Sequence, residues 1–183
     1  CGFYAQISFH RVLAGFLTQA GDPQTRTNRK PFEGRGGGGP GYGFEIELPD
    51  AALSYDRYTV AMANAMQYDP VTGEIQGGTD TNGSQFFIDL DNLVGRLRPY
   101  YTILGKVVDG TEVIDAIGAV PVNNPQDGVP VEPVIIESVT IESGGRSRSI
   151  GLKIACQCKR FFAPSHWPIP DLSGILFGLL AQR

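Results

Sequence analysis

Arg11 lies in an apolar stretch, and Phe16, Leu17 and Gln19 follow it within eight positions. On an extended strand side chains alternate, so Leu17 and Gln19 share a face. Farther along come Met62-Ala63-Asn64-Ala65 and Gly83-Ser84-Gln85-Phe86-Phe87. One guanidinium, two amide side chains and several aromatic or aliphatic residues could converge into an apolar pocket with few polar groups. No acid, base or nucleophile stands out among them. The same residues also fit a plainer arrangement, in which the aromatic rings are core and Arg11 makes a surface ion pair.

Other chemistries are less well supplied. The two histidines, His10 and His166, and the close pair Cys156 and Cys158 do not make four ligands at zinc spacing, so no metal site is expected. His10 has Arg11 beside it and no nucleophile motif, and reads as a strand histidine held by backbone hydrogen bonds rather than a triad base. The glycine run at 36–39 lacks a following Lys-Ser/Thr and a helix, which excludes a phosphate-binding loop. Asn82-Gly83-Ser84 fits the glycosylation triplet, a pattern common by chance.

The elements that must position these residues are short. Ile7 to Val12 and Phe16 to Ala20 read as strands joined by a Leu13-Ala14-Gly15 turn. Residues 21–43 and 66–83 read as long loops, the first holding Gly36-Gly37-Gly38-Gly39-Pro40-Gly41. Tyr58 to Asn64, Gln85 to Asp89, Tyr101 to Val108 and Val134 to Ile141 are further strand candidates. Thr111 to Ile117 is a short helix, with Thr111 or Asp109 as its cap and Val113, Ile114 and Ile117 on one face. Six or so short strands and one helix predict a mostly antiparallel barrel or sandwich. A further strand is plausible from Ile150 to Cys158, where apolar residues alternate; Pro164, Pro168 and Pro170 break regular structure beyond it.

The chain has 183 residues with 42% hydrophobic and 19% charged residues, an ordinary globular composition. Three cysteines cannot pair fully, so a disulfide-stapled scaffold is excluded. Residues 1–143 hold 9 Lys and Arg against 18 Asp and Glu, whereas residues 144–183 hold 6 against the single Asp171. The acidic body argues against nucleic-acid binding, and the basic tail reads as a solvated extension. The apolar run from Leu172 to Ala181 is too short for a bilayer, which takes roughly 20 residues, so no membrane partner is expected. A start at Cys1-Gly2-Phe3-Tyr4, without Met or signal peptide, reads as a processed product or fragment, with a cytoplasmic location slightly favoured.

Several motifs in series carry a resemblance. Phe9-His10-Arg11-Val12 with Gly15-Phe16-Leu17-Thr18-Gln19-Ala20-Gly21-Asp22-Pro23 resembles the cyclophilin signature, and so do Gly38-Gly39-Pro40-Gly41-Tyr42, Met62-Ala63-Asn64-Ala65, Thr81-Asn82-Gly83-Ser84-Gln85-Phe86-Phe87-Ile88 and Leu104-Gly105-Lys106-Val107. Their order and rough spacing are right over about residues 2–141. The resemblance implies a peptidyl-prolyl cis-trans isomerase of the bacterial cyclophilin type on an antiparallel β-barrel, eight-stranded in the family, with a short capping helix. It divides the chain into an isomerase domain at 1–143 and a basic C-terminal extension at 144–183.

By resemblance Arg11 donates a hydrogen bond to the prolyl nitrogen, Gln19 orients Arg11 and binds substrate backbone, and Phe16 joins them in the catalytic set. Leu17, Phe87, Leu97 and Tyr101 complete the proline pocket with Phe16, Phe87 forming its floor. Ala63, Asn64, Ala65 and Gln85 line the groove for the residues before proline. The partners implied are proline-containing peptides and unfolded proteins, with no cofactor and a monomeric chain. A peptide-binding or chaperone-like module with little turnover, and an inactive truncated fragment, are the alternatives.

Departures from the family pattern are few. Leu17 stands for the family's pocket Met, Tyr101 for a pocket His and Arg96 for a Trp beside the pocket; these bear on cyclosporin affinity more than on catalysis. Residues 66–80 exceed the usual connection, which implies an altered groove rim. The family's two strands and helix before the segment matching Gly2-Phe3-Tyr4 have no counterpart here, leaving Val134 to Ile141 short of a partner. The segment Ile150 to Cys158 is the candidate to fill part of that gap.

Overall fold

Alternation of side chains sorts the chain into two apolar layers on either side of one sheet. The computed structural model describes residues 2–27, 36–50, 53–144, 147–153 and 179–180. In chain order its strands are β1 (Ser8–Phe9), β2 (Arg11–Leu13), β3 (Leu17–Ala20), β4 (Thr59–Met62), β5 (Gln67–Tyr68), β6 (Ile75–Gly77), β7 (Phe86–Asp89), β8 (Ile103–Lys106), β9 (Val134–Ile135), β10 (Ser138–Gly144), β11 (Ser147–Lys153) and β12 (Leu179–Leu180). Helix α1 (Thr111–Gly118) lies between β8 and β9. The central sheet is antiparallel, in the order β2-β3-β7-β4-β8.

One face of that sheet carries Val12, Ala20, Val60, Phe86 and Ile88, which pack with Phe9, Val134, Ile136 and the helix residues Val113, Ile114 and Ile117. Each such aliphatic side chain contributes about 1.5–3 kcal/mol on full burial. Phe86 meets Phe9 and Tyr4 edge-on, with ring centroids 6.4 and 5.9 Å apart. The opposite face carries Leu17, Ala61 and Phe87, which pack with Tyr55 and Leu93. The first layer is the main core; the second underlies the site.

Several elements differ from the sequence expectation for local reasons. The stretch Ile7 to Val12 breaks at His10, because β1 pairs with β9 while β2 pairs with β3. His10 itself is buried and its N–H donates to the Gln19 carbonyl at 3.1 Å, the backbone role expected of it. Val134 to Ile141 divides into β9 and β10. Tyr58 has φ of 71°, so β4 begins at Thr59, where the turn closes by Thr59 N–H donating to Asp56 at 3.0 Å. Gly110, at φ 72°, is the cap of α1 rather than Thr111 or Asp109; the Asp109 carboxylate accepts from the Gly110 N–H instead. The loop at 21–43 contains a single 3-10 turn, Pro23–Arg26, and the loop at 66–83 contains the β5–β6 hairpin.

The alternating segment after position 143 supplies a neighbour for the last family strand. β11 pairs with β10 from Ser138 opposite Lys153 to Gly144 opposite Ser147, so the pairing runs across position 143. β12 pairs with β11 and lies alongside β8, at the edge of the central sheet. The remainder of the Ile150 to Cys158 expectation, the three prolines and His166 lie outside the described residues. Among the described residues no helix is long and apolar enough to cross a membrane.

Candidate active site

The register of the central sheet lines up the key side chains. Arg11 is the Cα partner of Gln19, Gln19 of Phe87, and Phe87 of Ala61. Directly paired residues point to the same side of a sheet, and neighbouring strands lie about 4.8 Å apart. Arg11, Gln19 and Phe87 therefore stand in one row on the second face, away from the main core. Leu17, two residues from Gln19, shares that face, and Phe16 enters it from the tight turn closed by Phe16 N–H donating to Leu13 at 2.9 Å. Gly15, at φ 67°, makes that turn possible.

All eleven residues expected at the site gather here, in two adjoining halves. Phe16, Leu17, Phe87, Leu97, Tyr101 and Ala63 share one apolar cluster, with Phe87 2% exposed at its base. The Tyr101 ring meets Phe87 edge-on at 5.2 Å and 89°. Gln19, Ala63, Asn64, Ala65 and Gln85 line a neighbouring cleft of about 270 Å³. Ala63 belongs to both halves, so it marks their junction. Arg11 is exposed at the pocket side, close enough to Tyr101 that its charge partly offsets the upward shift which burial gives that phenol.

Side-chain hydrogen bonds fix the cleft. Gln19 Nε2 donates to Gln85 Oε1 at 2.9 Å, and Gln85 Nε2 donates to the Gly38 carbonyl at 2.8 Å. The glycine run is thus a wall of the cleft rather than a phosphate loop. Asp22, fully buried, holds that wall by accepting from the N–H groups of Gln24 at 2.8 Å, Gly36 at 2.7 Å and Gly38 at 3.3 Å. A Cβ on Gly38 would run into the Asp22 carboxylate. Asn82, the asparagine of the glycosylation triplet, is fully buried and donates to Thr102 Oγ1 at 2.9 Å, so its amide is structural. The side chain of Asn64 donates to the Tyr100 carbonyl at 2.8 Å and accepts from Met66 N–H at 3.1 Å.

Sequence reasoning missed three contributors. Tyr55 holds Tyr101 from behind: its hydroxyl donates to the Tyr101 carbonyl at 2.7 Å and accepts from the Tyr101 N–H at 3.1 Å. Burial pushes the Tyr55 phenol up to about 12, against the lowering effect of the bond to Tyr101. No motif in the 44–58 segment announces this role. Tyr55→Phe should leave the fold intact and lower stability by about 1–2 kcal/mol; thermal unfolding checks this. Asp22, quoted within the motif but given no role, is the second. The third is Asp89, which the alternation of β7 puts on the Phe87 face. Arg96, at the position of the family Trp, lies over the Phe16 ring at 5.7 Å and pairs with Asp91 at 3.0 Å. Among the described residues no three His, Cys, Asp or Glu gather as metal ligands.

Comparisons with known proteins bear on this geometry. The family "cyclophilin type peptidyl-prolyl cis-trans isomerase/CLD" matches residues 1–141. Peptidyl-prolyl cis-trans isomerase B of Streptomyces anulatus is 40% identical over 137 residues, covering 74% of this chain and 65% of that protein. Peptidyl-prolyl cis-trans isomerase A of Mycobacterium tuberculosis is 39% identical over 142 residues, covering 76% and 64%. The chain thus spans just under two thirds of the length of these relatives. A solved Cryptosporidium parvum cyclophilin type peptidyl-prolyl cis-trans isomerase, in the presence of the dipeptide Ala-Pro, superposes with a TM-score of 0.58 and 32% identity, over 78% of each chain. With its motifs gathered in one groove and most of its length matched, this chain belongs to the cyclophilin-type peptidyl-prolyl cis-trans isomerase family.

Proposed function

We propose that the chain accelerates rotation about X-Pro bonds in peptides and unfolded proteins, without a cofactor and without nucleic-acid or membrane partners. The observation that carries this reading is the row Arg11, Gln19, Phe87 on one sheet face beside an apolar cluster. Amide resonance sets a barrier of about 18–20 kcal/mol, and no covalent step is needed to lower it. The catalyst has only to bind the twisted amide more tightly than either planar isomer.

The apolar half holds the proline ring among Phe16, Leu17, Leu97 and Tyr101, over Phe87. Twisting returns the lone pair to the prolyl nitrogen, which then accepts a hydrogen bond. Arg11 donates it; its charge is permanent and its planar fork is fixed in direction. Gln19 is a positioning residue for Arg11. Its Nε2 is committed to Gln85, so its side-chain oxygen is the atom it offers to Arg11 and the substrate. Ala63, Asn64, Ala65 and Gln85 hold the peptide on the side preceding proline, Asn64 through its backbone because its side chain is committed to Tyr100 and Met66.

The test is a protease-coupled assay on succinyl-Ala-Ala-Pro-Phe-p-nitroanilide, in which chymotrypsin cleaves the trans form alone. The slow phase should quicken in proportion to the concentration of the chain. A slow phase fixed at its uncatalysed rate, with peptide binding retained, would instead mark a binding module.

A further inference from the structure

The β5–β6 hairpin interrupts the groove wall between Ala65 and Thr81, and the reaction outlined above makes no use of it. Its root is fastened to the groove. Ala65 N–H donates to Thr81 Oγ1 at 2.9 Å, and the Thr81 hydroxyl donates to the Gly78 carbonyl at 2.6 Å. Its turn is closed by Asp69, which accepts from Val71 and Thr72 N–H at 2.8 Å each. Its flank is tied to the segment that leads into the pocket: Tyr100 Oη donates to the Gly73 carbonyl at 2.6 Å and Arg98 Nη2 to the Pro70 carbonyl at 3.0 Å. An isolated two-stranded hairpin is marginal in water, so these bonds make it a fixed wall.

Tyr68 is the residue this wall presents. Its ring lies 5.2 Å from Tyr100 and 5.1 Å from the Arg98 guanidinium, yet it stays 37% exposed. Its cross-strand partner Ile75 shares its face and is 43% exposed. Tyr68 also lies near enough to Tyr101 to add to the upward shift of that phenol. It thus packs on Tyr100, the residue next to Tyr101 of the apolar half, and lies three positions beyond Ala65 of the cleft lining.

We infer that Tyr68 forms a subsite for the side chain of the residue immediately preceding the substrate proline, and that this subsite favours a large apolar or aromatic side chain. The inference rests on the proline-isomerase reading above. With the ring against Phe87, the preceding residue crosses Ala63–Ala65, where the hairpin rises. Arg98 and Tyr100 hold the Tyr68 ring, and its exposed part offers an amphipathic contact surface at the rim beside these residues.

The coupled assay on succinyl-Ala-Xaa-Pro-Phe-p-nitroanilide, with Xaa as Ala, Leu or Phe, reads this directly for the whole chain and for Tyr68→Ala, Tyr68→Phe and Val71→Ser. Comparing the Phe-to-Ala ratio of kcat/KM between variants cancels differences between the peptides themselves. The ratio should fall about fivefold in Tyr68→Ala, mainly through KM, and hold in Tyr68→Phe and in the tip variant Val71→Ser. An unchanged ratio in Tyr68→Ala, with turnover intact, overturns the subsite and leaves the isomerase reading standing. No turnover of any peptide by the unmodified chain overturns both.

Discussion

Arg11→Ala should lower kcat/KM for a proline tetrapeptide by about 10²–10³-fold, the loss seen when one donor to a developing charge is removed. In free energy that is about 2.7–4 kcal/mol of transition-state stabilisation. The fold should be spared. Arg11 is exposed, and β2 is held to β3 by backbone pairing that the substitution leaves in place. The unfolding midpoint should therefore shift by only about 1–2 °C, since surface changes usually stay within about 0.5 kcal/mol. Arg11→Lys should recover only part of the activity, because an ammonium is a point charge without the planar fork. Coupled assays with thermal unfolding on the same samples check all three. A large loss of stability in Arg11→Ala would assign the residue to packing instead.

The second large effect concerns stability. Asp89 is 0% exposed on the Phe87 face, and among the described residues neither carboxyl oxygen has a hydrogen-bond partner. Burial, with a smaller contribution from Asp56, pushes its pKa up to about 8. Tyr55 is close enough that the Asp89 charge adds to the upward shift of its phenol. In the unfolded chain the same group titrates near 3.9. The folded state thus binds the proton more tightly. Its stabilising contribution is complete below about pH 4, and up to about 1.4 kcal/mol is lost for each unit of rising pH until about pH 8. Asp89→Asn removes that dependence. It should raise the unfolding midpoint by about 10–20 °C at pH 8 and by little at pH 4. Thermal scans at both values measure the difference directly. Equal shifts at the two pH values would show that the carboxyl is ionised in the folded chain.

Much of this arrangement was legible in the residues, because local rules and the family motifs agreed. The alternation of Leu17 and Gln19 predicts their common face, and the structure pairs them with Asp89 and Phe87 of β7. The helix followed from Val113, Ile114 and Ile117, although its cap did not: Gly110 is set by backbone conformation rather than by a capping side chain. The β5–β6 hairpin was hidden inside a polar, turn-rich stretch. It is stabilised by Tyr100 and Arg98, which are distant in sequence and carry no local signal. Tyr55 was illegible for the same reason, since its hydrogen bonds span 46 positions. Asp89 could have been placed on the pocket face by counting two from Phe87, but its complete burial emerges only from three-dimensional packing.

Exchange NMR on a peptide with one X-Pro bond separates grip from rotation in a single sample. With the unmodified chain, cis and trans resonances should show exchange cross-peaks at mixing times far shorter than the uncatalysed seconds-to-minutes interconversion. With Arg11→Ala the peptide should still shift on binding, while the cross-peaks vanish. Cross-peaks of equal strength in both proteins would contradict the assignment of Arg11 as the donor to the twisted imide nitrogen.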